Sequence, residues 1–325
     1  MNPMPPNAAR DVCMLGFPMD LGAGRRGVDM GPSAMRYAGL AAEVRELNLA
    51  FEDRGDVEVP IPERAAEGTG PKYMSEIVAA CENLAPRVEG VLDEGKFPVV
   101  IGGDHSMAMG TVTGVASHFR KKQENIGLIW IDAHADFNTA DTSPTGNIHG
   151  MPLSALMGHG AEELVNIGGF SPKVPPENTV LIGIRSVDDG ERELVMKSGI
   201  HYYEMMKIDA RGMCAVAEEA LSIALRGTAG VHVSLDLDGI EPNFAPGVGT
   251  PVPGGISMRE TYLLMEMIAD SGKMVSMEVA ELNPILDSAN ATAELACEMI
   301  TSALGKKVMG PLSMRGQRRT GRLRV

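Results

Sequence analysis

Aromatic residues and positive charge are both scarce in this sequence, and each scarcity argues against a class of function. Aromatics make up 4% of the 325 residues, and 29 Lys plus Arg stand against 43 Asp plus Glu, giving a net charge of −14 at pH 7. Nucleic-acid binding needs clustered basic residues and, for single strands, aromatic side chains that stack on bases. Nucleic acid is therefore not an expected partner, and the negative charge is interpreted as favouring solubility.

Long apolar runs and paired cysteine motifs are also missing. No uncharged stretch reaches the length of a transmembrane helix, and the N-terminal MNPMPPNAARD lacks the apolar segment of a signal peptide. The four cysteines, Cys13, Cys81, Cys214 and Cys297, have no C-x-x-C spacing. We therefore predict no zinc ribbon and no disulfide framework, but reduced, mostly buried thiols in a cytoplasmic protein without a membrane partner.

The apolar pattern predicts an α/β fold, a three-layer α/β/α sandwich with a mainly parallel central sheet. Short, continuously apolar runs, typical of parallel strands covered on both faces, alternate with longer amphipathic runs. The predicted strands are residues 12–17, 97–101, 126–131, 179–184, 230–237 and 274–279. The predicted helices are residues 74–93, 106–121, 188–198, 210–226, 257–270 and 289–304.

No linker composition divides the chain, so residues 1–305 are predicted to be a single domain, followed by a basic C-terminal tail at residues 306–325. The tail is interpreted either as a solvated end or as an arm that reaches an acidic neighbouring subunit, with nucleic acid the least favoured partner.

The segment Gly22-Ala-Gly-Arg-Arg-Gly27 matches the G-x-G-x-x-G pattern of dinucleotide-binding proteins. That motif requires a helix directly after the third glycine, whereas Asp29, Gly31 and Pro32 follow here. A glycine-rich surface loop is the favoured interpretation.

Polar residues follow three of the predicted strands at the point where each strand ends. Phe97–Ser106 (FPVVIGGDHS) carries His105 near its end. Ile129–Phe137 (IWIDAHADF) carries alternating acidic and histidine residues, and Val231–Gly239 (VHVSLDLDG) carries a second Asp-x-Asp near its end. In extended chain, residues two apart point to one side, so side chains in these patterns would converge if the strand geometry persists. The converging candidates are His105, Asp132, His134, Asp136, Asp236 and Asp238.

Four carboxylates and two imidazoles predict a metal centre, because buried carboxylates need positive charge nearby. The set has too many ligands for one tetrahedral zinc ion and suits two adjacent divalent ions such as Mn²⁺, with Mg²⁺ less favoured because it avoids imidazole. Two such ions can lower the pKa of a bridging water to give a hydroxide nucleophile. Of the other histidines, His232 is interpreted as a core residue, and His118, His159 and His201 receive no role.

These motifs, taken together, resemble the ureohydrolase family, whose members use two manganese ions to release urea from guanidino compounds. The resemblance rests on GGDHS (Gly102–Ser106), DAHAD (Asp132–Asp136) and SLDLDGIEPNFAPGVGTPVPGG (Ser234–Gly255). It spans about residues 12–304 and is strongest to the bacterial arginases, through LGAGRRGVDMGPSAMRYAGL, SPTGNIHGMPL and IRSVDDGE. The resemblance implies hydrolysis of L-arginine to L-ornithine and urea by a metal-bridging hydroxide, in a homo-oligomer (trimer or hexamer).

The resemblance also implies a role for each site residue. One Mn²⁺ would be held by His105, Asp132, Asp136 and Asp236, and the other by Asp132, His134, Asp236 and Asp238, so that Asp132 and Asp236 bridge. Asp136 would orient the hydroxide, His149 would shuttle a proton, and Glu281 would bind the guanidinium, with Thr250 close by. The α-carboxylate would be bound by Asn138, Thr145 and Asn147, and the α-amino group by Asp188.

Two alternatives stay open: an agmatinase or other guanidino-compound hydrolase, and a non-catalytic family member. Asp189, next to the amino-group acid, and Glu241, where an Asp is usual before Pro242, depart from the arginase pattern. Neither is a predicted metal ligand, but Asp189 bears on how the α-amino end of a substrate is recognised.

Overall fold

The structure is a computed structural model that describes residues 11–61 and 72–309. Within these residues, one eight-stranded sheet has the strand order β2-β1-β3-β8-β7-β4-β5-β6, and each pairing between neighbouring strands is parallel. The strands are β1 (Val12–Phe17), β2 (Phe51–Asp56), β3 (Phe97–Gly102), β4 (Gly127–Ile131), β5 (Thr179–Ile184), β6 (His201–Glu204), β7 (Val231–Asp236) and β8 (Met274–Ala280). The predicted parallel sheet is confirmed.

Helices cover both faces of this sheet. They are α1 (Gly31–Ala38), α2 (Leu40–Glu46), α3 (Met74–Asp93), α4 (Ala108–Arg120), α5 (Pro152–Leu156), α6 (Glu162–Val165), α7 (Asp189–Ser198), α8 (Met205–Arg211), α9 (Met213–Ala224), α10 (Met258–Ser271) and α11 (Ala291–Ala303). Residues of α1, α2 and α8–α11 pack with one set of strand side chains, such as Val99 and Ile129. Residues of α3–α5 pack with the opposite set, such as Val100 and Leu128. The three-layer α/β/α architecture is therefore confirmed.

The predicted strands agree with the structure to within about one residue at most ends, but the prediction missed the two edge strands. β2 (FEDRGD) and β6 (HYYE) are partly exposed and polar, so neither forms an apolar run. An edge strand is paired on one side only and needs fewer apolar residues. The predicted helix 210–226 is also divided, because Gly212 adopts φ 79° between α8 and α9.

Other predictions concern the cysteines, the membrane and the chain ends. All four cysteines are free, and three of them are buried, as expected. In the described residues no helix is long and apolar enough to cross a membrane. Most of the predicted basic tail, residues 310–325, lies outside the described residues. Lys306 and Lys307 at its start pair with Glu43 and Asp270, at 2.8 Å and 2.5 Å.

The topology places five strand ends side by side. β3, β8, β7, β4 and β5 are consecutive neighbours, and because all are parallel their carboxyl ends share one edge of the sheet. In open α/β sheets, ligands bind at this edge. The three polar motifs identified in the sequence follow β3, β4 and β7 and therefore meet here.

Candidate metal centre and substrate cleft

The imidazole of His105 faces three carboxylates at the end of β3. Its Nδ1 lies 3.2 Å from Asp132 Oδ2, 3.1 Å from Asp136 Oδ2 and 3.0 Å from Asp236 Oδ2. On its other side, Nε2 lies 2.7 Å from Ser234 Oγ, and the ring stacks on Trp130 with centroids 4.1 Å apart. The Ser234 contact occupies Nε2 and leaves Nδ1 pointing into the carboxylate group.

A second group adjoins the first. His134 Nδ1 lies 3.4 Å from Asp132 Oδ1 and 3.2 Å from Asp238 Oδ2. Asp132 is common to both groups and turns one oxygen to each histidine. Asp236 turns Oδ2 toward His105, while its Oδ1 accepts a hydrogen bond from the Asp238 amide at 2.8 Å. The structure thus brings all six predicted ligands together as two groups of side chains with a shared acid.

The spacing of these atoms fits a metal better than a set of hydrogen bonds. Among the described residues, His105 Nδ1 has no hydrogen bond of acceptable geometry, although three carboxylate oxygens surround it. Neighbouring ligands of an octahedral ion bound at about 2.1 Å lie about 3.0 Å apart. The observed separations of 3.0 to 3.4 Å are close to that value. A divalent ion therefore fits each of the two groups.

The electrostatics disfavour full ionisation of this carboxylate cluster. Burial and the charge of Asp132 raise the pKa of Asp136 to about 7, and burial with Asp238 and Asp132 raises the pKa of Asp236 well above its usual range. Burial would lower the pKa of His134, but Asp132 and Asp238 raise it to about 12. Without protons or metal ions between them, these carboxylates could not all be ionised.

A tight turn brings the ligands after β4 together. Extended geometry past Ile131, the condition for convergence by simple alternation, is not found, because β4 ends at Ile131. His134 N donates to Asp132 Oδ1 at 2.6 Å, and Asp136 adopts a left-handed φ of 49°. Such a φ is uncommon for a non-glycine residue but is tolerated by Asp. The turn directs Asp136 back toward His105.

A cleft of about 200 Å³ adjoins the predicted metal ligands. Its lining residues are His134, Asp136, Asn138, Ser143, Thr145, Asn147, His149, Gly150, Ser186, Asp188, Glu191, Asp236, Asp238 and Thr250. The lining contains every residue predicted to bind the α-carboxylate or the α-amino group, together with Thr250 and His149. His105, Asp132 and Glu281 are almost fully buried.

Asn138 and Asp188 are joined on the cleft wall. Asn138 Nδ2 donates to Asp188 Oδ2 at 3.0 Å, and Asn138 Oδ1 accepts from Thr142 Oγ1 at 3.0 Å. On the facing turn, the Asn147 amide donates to Thr145 Oγ1 at 3.2 Å. Asp189, by contrast, has a side chain that is 97% exposed and pairs with Arg192. The side chain of Asp189, which departs from the arginase pattern, therefore points away from the cleft.

Glu191 is a cleft residue that sequence reasoning missed. It is buried, and its carboxylate accepts hydrogen bonds from the amides of Phe137 (2.8 Å) and Asp188 (3.2 Å). It thereby ties the turn after β4 to the start of α7, and burial with the charge of Asp136 raises its pKa to about 7. The Asp188-x-x-Glu191 spacing is that of a helix capping box and marked this position in the sequence.

Glu281 and His149 form a buried pair beside the predicted metal ligands. Glu281 follows β8 with φ 64°, and its Oε1 accepts from the His105 amide at 3.0 Å and lies 2.9 Å from His149 Nδ1. Burial would lower the pKa of His149, but Glu281 raises it to about 9. Among the described residues Glu281 Oε2 has no hydrogen-bond partner, which makes it an available acceptor.

The glycine-rich loop at residues 22–27 packs against two residues of the cleft lining, His149 and Asn147. The Gly22 amide donates to Asp104 Oδ2 at 2.8 Å, and the Gly22 carbonyl accepts from the His149 amide at 3.1 Å. A Cβ at Gly24 would lie 2.9 Å from Asn147 Nδ2, so close approach explains the glycine. The segment does not lead directly into an α-helix, in agreement with the interpretation as a loop.

The histidines without a predicted role lie elsewhere. His232 is fully buried in the core with Nδ1 2.7 Å from Ser276 Oγ, as expected of a core residue. His118 pairs with Asp93, and His159 lies beside Phe137 with ring centroids 5.9 Å apart. His201 is exposed on β6.

Comparisons with known proteins identify the family of this chain. The model of the arginase family matches residues 10–305. The arginase of Brevibacillus brevis is 51% identical over 300 residues, covering 92% of this chain and 99% of the relative. The crystal structure of Bacillus caldovelox arginase superposes with a TM-score of 0.88 at 48% identity, covering 92% of this chain and 100% of that one.

A more distant structure has the same fold. The arginase of Entamoeba histolytica in complex with L-ornithine superposes with a TM-score of 0.83 at 29% identity, covering 91% of this chain and 99% of that chain. The matches to the family model and to the Brevibacillus brevis relative extend over more than nine tenths of the sequence. The chain therefore belongs to the arginase family and is a hydrolase of that family.

Proposed function

We propose that this enzyme hydrolyses L-arginine to L-ornithine and urea, and that it uses two Mn²⁺ ions per subunit. The observation that supports this most directly is the pair of ligand groups sharing Asp132 beneath a cleft with polar ends. The mixed carboxylate and imidazole ligands suit Mn²⁺. The three similar proteins described above are arginases, which supports the choice of substrate.

We assign one ion to His105, Asp132, Asp136 and Asp236, and the other to Asp132, His134, Asp236 and Asp238, so that Asp132 and Asp236 bridge. The two oxygens of Asp132 face different histidines, which is the arrangement a bridging carboxylate needs. When bound, the ions would lower the pKa of a water molecule so that hydroxide is available near neutral pH.

The substrate guanidinium would be held by Glu281. This buried carboxylate has a free Oε2 that can accept from a guanidinium, while its Oε1 keeps the contact with His149. A guanidinium carbon is a poor electrophile because its charge is delocalised, so the gain comes from holding it next to the nucleophile. Asp136 would accept a hydrogen bond from the attacking water and orient it, and Thr250 would line the same end of the cleft.

Departure of the amine requires a proton. As water adds to the guanidinium carbon, the bond from that carbon to the substrate's Nε breaks, and this nitrogen must be protonated to leave. His149 lines the cleft and has a pKa raised to about 9, so it is largely protonated near neutral pH and can donate. The products are urea and a primary amine.

The far end of the cleft would select an amino acid. Asp188 supplies a carboxylate for the α-amino group, while Asn138, Thr145 and Asn147 supply donors for the α-carboxylate. A hydrogen-bonding site of this kind discriminates against substrates that lack either group, since its own polar groups are then left unpaired.

A urea-release assay with Mn²⁺-loaded protein tests the proposal. L-arginine should give the highest kcat/KM, because agmatine lacks the α-carboxylate and 4-guanidinobutyrate lacks the α-amino group. Preferential turnover of agmatine would show that the enzyme is an agmatinase. A protein that binds no stoichiometric Mn²⁺ and releases no urea from any of the three would be a non-catalytic family member.

We also propose a homo-oligomer in the cytoplasm. The basic tail and the acidic remainder of the chain support contacts between subunits, and the free cysteines suit a reducing compartment. Light scattering would measure the subunit number.

A further inference from the structure

Arg185, just after β5, is a half-buried cation beside the metal ligands with no role in the reaction described above. Its guanidinium makes five hydrogen bonds, all to backbone carbonyl groups. Nε donates to Val252 O (3.1 Å), Nη1 to Gly183 O (3.2 Å) and Gly239 O (3.1 Å), and Nη2 to Asp238 O (2.8 Å) and Val252 O (2.6 Å). A guanidinium has five N–H donors, so each of them is used.

The backbone of Arg185 is fixed to a different ligand segment. Its amide donates to the carbonyl of Ala133 at 2.8 Å, and the next amide, of Ser186, donates to the same carbonyl at 3.0 Å. Ala133 lies between the predicted ligands Asp132 and His134. One residue therefore connects the turn after β4, through its main chain, with the segment after β7, through its side chain.

The segment held by the side chain is the loop of residues 239–256. The loop is closed at its base by a bridge between Ile240 and Ile256, and it carries Thr250, whose Oγ1 donates to Asp238 Oδ2 at 2.9 Å. Glu241 holds the same loop on another side, because its Oε2 accepts from the amides of Gly254 (2.7 Å) and Gly255 (2.8 Å). Glu241, which stands where an Asp is usual, therefore has a structural role in holding this loop.

We propose that Arg185 is a positioning residue for the ligand group of His134 and Asp238. By fixing the carbonyls of Asp238, Gly239 and Val252 to the end of β5, it sets the direction of the Asp238 carboxylate and the place of Thr250. Its positive charge also lies next to a carboxylate cluster. The ligand group of His105 depends less on it, since Glu281 holds the His105 amide and Ser234 holds its Nε2, and both residues lie outside this loop.

This inference rests on the proposed metal site but is separable from it. Arg185→Lys keeps the charge while replacing a planar fork of five donors by a point charge with three. Residues that orient metal ligands from behind contribute about 10- to 100-fold to metal affinity. We expect Arg185→Lys to lower the affinity of one of the two Mn²⁺ sites by at least 10-fold and to change the other by less than about 3-fold.

Isothermal titration calorimetry of MnCl₂ into metal-free full-length protein measures the affinity of each site. Electron paramagnetic resonance of the loaded protein then distinguishes a close pair of Mn²⁺ ions from a single ion. Arg87→Lys is the matched control. Arg87 also donates to two backbone carbonyls, of Asp56 and Arg54, both at 2.8 Å, but it lies at the β2 edge of the sheet. The control should keep both affinities and the pair spectrum.

A second variant covers the case in which Arg185→Lys does not fold. Glu241→Ala releases the same loop from the Gly254 and Gly255 amides, so it should weaken the same single site. Wild-type affinity at both sites in these variants would overturn the inference. So would equal weakening of both sites, because that is the result of general destabilisation. If the wild-type protein itself binds fewer than two Mn²⁺ ions, the proposed function fails first.

Discussion

Replacement of Asp236 by Asn separates the metal-binding role of this residue from its structural role. Asn has nearly the same shape, and its Oδ1 can still accept the hydrogen bond from the Asp238 amide, which is 2.8 Å long. Burial and the neighbouring acids raise the pKa of Asp236 well above its usual range, so the metal-free protein disfavours a negative charge at this position. Exchange of this acid for a neutral amide of the same shape should leave the metal-free protein about as stable as the wild type.

The Mn²⁺-loaded protein should behave differently. At a free Mn²⁺ concentration of about 100 Kd, each site stabilises the wild type by about 2.7 kcal/mol, or about 5 kcal/mol for two sites. A 100-fold loss of affinity at both sites, as expected for a bridging ligand, would lower each contribution to about 0.4 kcal/mol. At about 2 °C per kcal/mol for a chain of this size, the Mn²⁺-dependent rise in Tm falls from about 10 °C to about 2 °C.

Differential scanning fluorimetry of EDTA-treated protein, with and without MnCl₂, measures both quantities. Asp209→Asn is the control, since Asp209 is an exposed acid on α8 and its loss should leave the wild-type rise in Tm. A full wild-type rise in Asp236→Asn would show that this carboxylate is not a ligand. A large drop in Tm of the metal-free variant would contradict the argument that negative charge on Asp236 is disfavoured there.

Three further predictions concern the other parts of the molecule. His149→Asn should keep both Mn²⁺ ions by elemental analysis and lower kcat by about 100-fold or more, as expected for loss of a general acid. In the wild type, kcat/KM should fall as pH rises through about 9, because the acid form of His149 is then lost. The variant should lack this fall in kcat/KM, and an unchanged fall would assign it to another group. Asp188→Ala should lower kcat/KM for L-arginine but not for 4-guanidinobutyrate, which has no α-amino group; equal losses on both substrates would remove Asp188 from amino-group recognition. Truncation after Lys307 keeps the ion pairs of Lys306 with Glu43 and of Lys307 with Asp270. A fall in oligomer mass by light scattering would therefore come from loss of residues 308–325, and an unchanged mass would exclude a role of these residues in assembly.

The predicted fold and ligand candidates followed from local chemistry. Buried parallel strands must be apolar throughout, so the interior strands were visible as continuous runs, and acids directly after such runs marked positions where charge has to be compensated. Parallel strands bring their carboxyl ends to one edge of the sheet, so the sequence alone predicts that His105, Asp132 and Asp236 meet there. Resemblance to a known family then connected these positions with a reaction.

Other features depended on the tertiary structure. The edge strands β2 and β6 carry no apolar run, because pairing with a neighbour on one side is enough to form them. Asp132 and Asp136 converge because of a turn in which Asp136 has a left-handed backbone conformation. The alternation of residues along a strand does not predict such a turn. Glu191 and Arg185 act through backbone amides and carbonyls of segments distant in sequence, so their own residue types do not disclose their partners. By itself the sequence determined which side chains need a cation nearby, since burial of charge is a property of residue type and local pattern. Only the tertiary structure decided which oxygens face which nitrogen, because those distances are set by hydrogen bonds between loops that meet only after the sheet has formed.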